Sequence, residues 1–217
     1  MSSEKTSAFH TLLSQNKSFA SKTQSQNPDL LSKCAKGQSP STLWLGCSDS
    51  RCPETTLLAA QPGDVFVHRN IANIITPHDM SSQSVIYYAV NYLKVQHVVV
   101  AGHTSCGGVA AALGNNVVGG TMDAWLMPVR ELRSQLLESG AFEGVDDKEK
   151  GLRLVEANVK RGVDVVRRNP EVVRAMGERG VEVHGVVYDV GTGELRELDT
   201  GEEEAGMRKR LENFKVG

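Results

Sequence analysis

A chain of 217 residues, 40% of them hydrophobic, is long enough to close a core without disulfide staples and reads as one domain. Lysine plus arginine number 24 against 26 aspartate plus glutamate, and a net charge of −2 leaves no basic excess for nucleic acid. No apolar run approaches the ~18 residues of a membrane span, so neither nucleic acid nor membrane is an expected partner.

The N-terminal stretch MSSEKTSAFHTLLSQNKSFASK has no signal-peptide core and no arginine, which points to the reducing cytosol. In that compartment the four cysteines are expected to be metal ligands, nucleophiles or core rather than disulfides. Phe9, Leu12, Leu13, Phe19 and Ala20 recur at roughly helical spacing and predict an amphipathic helix over 4–21, the main element of an N-terminal arm (1–35). TLWLGC (42–47) reads as a buried strand. The turn signal QPGD opens a second strand at 64–70. Residues 81–93 read as a helix capped by Ser81 or Ser82. HVVVAG (97–102) is the clearest strand, and GGVAAAL opens the next helix. Two further helices are expected at 121–138 and about 147–168. VEVHGVVYDV (181–190) is a strand that GTGE turns back into 195–199, and 201–217 is a short C-terminal helix. Strands alternating with helices predict an α/β fold: a central, mostly parallel sheet flanked by helices, with an antiparallel edge strand, over a core of 36–200.

Two stretches carry chemistry. CSDSR begins at Cys47, where the first strand ends, and GHTSCGG places His103 at the end of the 97–102 strand with Cys106 opening a helix. Sites in open α/β sheets form beyond the carboxyl ends of strands, so Cys47, His103 and Cys106 can meet there. Two sulfurs and one imidazole suit zinc, and three protein ligands with an open fourth position is the catalytic arrangement. A helix N-terminus favours thiolate at Cys106, and Gly102, Gly107 and Gly108 allow close backbone approach. The bland alternative is three core residues. A thiol-redox protein would be expected to carry C-x-x-C, which this chain lacks.

From about Lys36 to Tyr188 the sequence resembles the β-class carbonic anhydrases, through GQSP, CSDSR, QPGDVFVHRNIAN, YAVNYLKV, GHTSCGG and HGVVYDV. The resemblance implies a single domain of that class, with one zinc ion per chain on Cys47, His103 and Cys106. It implies reversible hydration of carbon dioxide to bicarbonate and a proton by zinc hydroxide, and assembly as a homodimer or a dimer of dimers. It makes Asp49 and Arg51 a catalytic dyad, in which an ionised carboxylate, able only to accept hydrogen bonds, is gripped by a guanidinium. It brings Gln38 to the substrate across a dimer interface. It places Phe66, Ile71 and Tyr88 with Gly107 around a small apolar pocket, although ordinary packing explains the three side chains equally well. Trp44, Arg69 and Tyr188 match a second bicarbonate site, whose occupation accompanies Asp49 leaving Arg51 to become a fourth zinc ligand in a closed, inactive state. Cys52 departs from that regulated subtype, where a small branched apolar residue is usual. It and Cys34 read as buried or reactive thiols outside the zinc site. A hydrolase of carbonyl sulfide or carbon disulfide, and a catalytically silent zinc- or bicarbonate-binding protein, are the alternatives. His10, His68, His78, His97 and His184 read as core or surface residues, one of which could shuttle protons.

Overall fold

The computed structural model describes residues 7–201, together with Gly206 and Glu212. The expected C-terminal helix lies outside the described residues. The chain divides after Gln38 into two compact units. The first holds α1 (Ala8–Gln26) and α2 (Leu30–Lys36). Ser7 caps α1 by accepting from the His10 N–H. The helix runs beyond the expected 21 because its polar last turn keeps helical geometry without any apolar signal, and it stops before the Asn27–Pro28 step, which disfavours helix. No residue of α1 is buried, and Phe9, Leu12 and Phe19 are 65, 59 and 50% exposed. The stripe read from the sequence therefore has no cover among the described residues.

The second unit is built on a five-stranded sheet in the order β2-β1-β3-β4-β5. The strands are β1 (Thr42–Cys47), β2 (Val65–Asn70), β3 (His97–His103), β4 (Glu182–Tyr188) and β5 (Leu195–Glu197). The first four are parallel and β5 is antiparallel to β4, as expected. The helices of this unit are α3 (Glu54–Leu57), α4 (Met80–Tyr88), α5 (Gly107–Leu113), α6 (Thr121–Glu138), α7 (Asp147–Arg167) and α8 (Pro170–Arg179).

Alternation along the strands buries Leu43, Leu45, Val98 and Val100 completely or nearly so. The helix α7 packs so closely on β3 that two glycines are required. A Cβ on Gly102 would stand 2.7 Å from Val159 and 2.9 Å from Val155, and one on Gly162 would stand 2.9 Å from Val100. That contact seats the end of β3, and so His103, against a rigid helix.

The expected helix over 81–93 begins and ends differently. Asp79 is the cap, accepting from the Ser81 and Ser82 N–H groups, while buried Ser82 turns its hydroxyl back to the Asp79 carbonyl. A carboxylate two residues earlier reaches both free amides, which neither serine can do from inside the helix. After Tyr88 the helix widens into a π turn, Ala89–Leu93, closed by Lys94 in the left-handed region. Arg179 donates to the carbonyls of Val90, Lys94 and Val95, satisfying groups that the widened turn leaves open.

Candidate metal centre

Cys47 ends β1 and His103 ends β3, at the same edge of the parallel sheet. Thr104 and Ser105 then turn the chain so that Cys106 becomes the N-cap of α5, with Ser105 in the left-handed region at φ 56°. Thr104 pins this turn to the end of β4: its N–H donates to the Tyr188 carbonyl, and its hydroxyl oxygen accepts from the Val190 N–H. The ligand atoms of Cys47, His103 and Cys106 all lie within 4.8 Å of one another, and all three residues are buried. The two sulfurs are 4.0 Å apart. Two thiolates about 2.3 Å from a tetrahedral zinc stand about 3.8 Å apart, so the pair already has the right spacing.

The histidine is prepared in the same sense. Its Nδ1 donates to the Thr104 carbonyl at 3.0 Å, which leaves the lone pair on Nε2. That Nε2 is buried with no hydrogen-bond partner, an arrangement that costs free energy unless something else engages it. The donor set and this orphaned nitrogen fit a zinc ion. The two thiols titrate together: the Cys106 S–H donating to Cys47 pulls Cys47 down and holds Cys106 up, and burial pushes Cys106 further up. Burial pulls His103 down, but the neighbouring Cys47 thiolate, the Thr104 carbonyl and Asp49 outweigh it, so the net shift is upward.

Asp49 and Arg51 form the expected pair. Arg51 Nε donates to Oδ1 at 2.9 Å and Nη2 to Oδ2 at 2.7 Å, while the Arg51 backbone N–H adds a third bond to Oδ1. These bonds hold the Asp49 carboxyl well below the usual carboxylate range, and Asp49 in turn raises Arg51. Arg51 Nη2 also donates to the Ser105 carbonyl at 3.0 Å. The free edge of Asp49 Oδ2 is 3.8 Å from His103 Nε2. Asp49 therefore borders the Cys47–His103–Cys106 group while bound to Arg51.

The remaining site residues are placed as follows. Ile71 packs on the first turn of α5, since a Cβ on Gly108 would stand 3.0 Å from Ile71 Cγ2, whereas the place of a Cβ on Gly107 is open. The loop carrying Ile71 is held by Asn70, whose side chain bonds both N–H and carbonyl of Ile74, by Asn158 donating to the Ala72 carbonyl and by Trp125 donating to that of Ile71. Phe66 and Tyr88 lie tilted with ring centroids 5.7 Å apart, and Tyr88 stacks on Tyr92. Tyr88 is 45% exposed, so it is not plain core. Gln38 is the last residue of the first unit and is exposed.

Trp44, Arg69 and Tyr188 fall on one face of the sheet by register: Arg69 pairs with Gly46, and Trp44 lies two residues back on the same side. The indole covers Gly46, where a Cβ would meet Trp44 Nε1 at 2.5 Å. Arg69 has a structural task that sequence reasoning missed: Nε donates to the Cys47 carbonyl at 2.7 Å and Nη2 to the Asp49 carbonyl at 2.5 Å. Its Nη1 faces buried Glu54 at 3.5 Å. Glu54, Thr104 and Ser105 were also missed. The only signal for Glu54 was a charge directly after CSDSRCP, and for the other two their position between His103 and Cys106. Cys52 is buried beside the site, and burial pushes its thiol up to about 11. Cys34 is half-buried on α2.

A family model described as carbonic anhydrase matches residues 42–195. The structure of the β-carbonic anhydrase CafA of Aspergillus fumigatus superposes with a TM-score of 0.92 at 51% identity, over 97% of this chain and all of that one. The chain belongs to the β-carbonic anhydrase family. A tetrameric β-carbonic anhydrase of the filamentous ascomycete Sordaria macrospora is 49% identical over 88% of this chain and 96% of its own, with a TM-score of 0.84. The carbonic anhydrase of Candida albicans is 41% identical over 169 residues, 78% of this chain. The chain spans 60% of the length of the Candida albicans and Emericella nidulans relatives that it matches. Within the carbonic anhydrase fold, the elements that position Cys47, His103 and Cys106 all lie inside the matched segment.

Proposed function

We propose that this protein catalyses the reversible hydration of carbon dioxide to bicarbonate and a proton. The observation that carries the reading is the Asp49 carboxylate, fixed by Arg51 on one side and bordering the Cys47–His103–Cys106 group on the other, 3.8 Å from His103 Nε2. Relatives named carbonic anhydrase support it. Cys47, His103 and Cys106 would hold one zinc ion, and the ion, when bound, supplies a Lewis acid that makes hydroxide from water near neutral pH.

The chain's own residues do the rest. Asp49 Oδ2 can only accept, so it would accept a hydrogen bond from the attacking hydroxide and turn the oxygen lone pair toward the carbon. Arg51 keeps the carboxylate ionised and aimed. A bond forms between that oxygen and carbon, bicarbonate leaves, and the proton lost in making the hydroxide passes to solvent. Phe66, Ile71 and Tyr88 offer an apolar wall suited to a substrate with no dipole, beside the open backbone at Gly107. Gln38 reaches the substrate from a second copy. The exposed stripe of α1 and the tetrameric Sordaria macrospora relatives support a dimer or a dimer of dimers. Among the described residues no helix is long and apolar enough to cross a membrane. All four cysteines are thiols, which suits a reducing compartment, and a cytosolic location is part of this proposal.

Bicarbonate at Trp44, Arg69 and Tyr188 would act on the same centre. An anion at Arg69 competes with Glu54 for the guanidinium, and Arg69 also holds the Asp49 carbonyl. Movement of Arg69 thus reaches Asp49 through one hydrogen bond and favours the closed state. Arg69→Ala is expected to weaken inhibition by bicarbonate while leaving zinc bound.

The test is stopped-flow hydration of carbon dioxide, with zinc counted on the same sample and carbonyl sulfide as a parallel substrate. One zinc per chain with hydration faster than sulfide turnover is expected. Cys106→Ser should strip the metal, because a neutral hydroxyl is a poor ligand beside a thiolate. Asp49→Asn should keep it and lose about 10²- to 10⁴-fold in rate. Zinc-loaded protein inactive on both substrates would leave a silent binding protein, and turnover of the sulfide alone would leave a hydrolase of that class.

A further inference from the structure

We propose that His97, Glu182 and His184 form a second divalent-metal site, separate from the Cys47–His103–Cys106 group and suited to an ion of the zinc class. The three sit at the amino ends of β3 and β4, the opposite edge of the sheet from the first group. His97 pairs directly with Glu182 in the register, and His184 lies two residues further on the same face of β4.

The donor atoms form a nearly equilateral triangle. His97 Nδ1 is 3.1 Å from Glu182 Oε2 and 3.3 Å from His184 Nε2, and His184 Nε2 is 3.5 Å from Glu182 Oε2. Nitrogen and oxygen ligands about 2.0–2.1 Å from a tetrahedral ion stand about 3.3 Å apart, so the triangle already has the span of three corners. Two imidazole donors favour zinc and its transition-metal neighbours over magnesium and calcium, and zinc also accepts a carboxylate oxygen.

The protonation pattern leads to the same conclusion. His184 Nδ1 lies 2.9 Å from Glu197 Oε1 on β5, and a carboxylate only accepts, so Nδ1 carries the proton and the Nε2 lone pair faces the triangle. A carboxylate behind a metal-bound histidine is the usual orienting partner. A single proton on His97 Nδ1 can satisfy one of its two neighbours, which leaves the lone pairs of His184 Nε2 and Glu182 facing each other. With the His97 proton moved to Nε2, one divalent ion engages all three donors, and Glu182 and Glu197 together balance its charge. The donors stand on paired strands rather than loops, so little ordering is needed on binding. Their partial exposure leaves the fourth position to water. The ion would tie β3 to β4 and, through Glu197, brace the three-residue edge strand β5.

The experiment is calorimetric titration of zinc chloride into tag-free protein already holding one zinc per chain. One further ion per chain is expected. His97→Ala and His184→Ala should each weaken it at least about tenfold, and Glu197→Gln about 10- to 100-fold, with the first zinc retained in all three. Binding of equal strength in both histidine variants, or no further ion, overturns the proposal. A second measurement needs no variant: crystals soaked in zinc should show an anomalous peak inside the His97–Glu182–His184 triangle. A map with its only peak at Cys47–His103–Cys106 would refute the site.

Discussion

Arg51 Nη2 donates to the carbonyl of Ser105, 54 positions away and between His103 and Cys106. The guanidinium that grips Asp49 is thus anchored to the turn that carries two of the three residues proposed to hold zinc. Dyad and metal centre share one rigid support rather than standing side by side on separate loops. Arg51→Lys keeps the charge but can offer only a point contact in place of the fork. The expected result is full zinc occupancy with hydration reduced by about 10²-fold, measured as kcat on metal-replete protein. Unchanged kcat would show that the charge alone suffices.

The Asp49 carboxyl is depressed below its ordinary value by the hydrogen bonds from Arg51. A group whose folded pKa is lowered contributes stability above its unfolded pKa, about 3.9 for aspartate, and loses it as pH falls through the folded value. Asp49 is therefore ionised throughout the neutral range and favours the fold there. Its contribution disappears only in strong acid. Between pH 6 and 9, wild type and Asp49→Asn should show parallel profiles of thermal unfolding temperature, and the gap should begin to narrow only below about pH 4. A gap that changes near neutrality would place the Asp49 titration elsewhere.

Burial pushes the Cys52 thiol up to about 11, and only thiolate alkylates at a useful rate. At pH 8 the folded protein should leave Cys52 unlabelled by iodoacetamide for hours. Peptide mapping after unfolding in denaturant should then show it labelled. Rapid labelling of folded protein would mean that Cys52 is exposed to solvent and ionised.

Gly102 has no room for a side chain, because Val159 and Val155 lie 2.7 and 2.9 Å from where a Cβ would be. Gly102→Ala should cost roughly 1–3 kcal/mol of stability, the usual range for forcing a methyl into a packed core. The added methyl should also shift His103, so zinc affinity is expected to fall together with the unfolding midpoint in urea. A variant of normal stability would show that α7 yields easily.

The sequence by itself determined the α/β class, the ends of β1 and β3, and the choice of Cys47, His103 and Cys106, which the fold brings together. These follow from local signals: β-branched runs, glycine punctuation, and cysteine or histidine at a strand end. The start of α8 was equally legible and was overlooked. Asn169 caps it and Pro170 occupies its first turn, an N-terminal signature that sequence alone contains. The cap at Asp79 and the π turn after Tyr88 were not, because both depend on which backbone groups find partners, Arg179 among them. Only the tertiary structure decided that Arg69 holds the Cys47 and Asp49 carbonyls and faces Glu54. Only it brought His97 to His184, 87 positions along the chain. Parallel strand pairing makes such neighbours: it sets residues side by side by register, and register is a property of the assembled sheet that no single segment encodes.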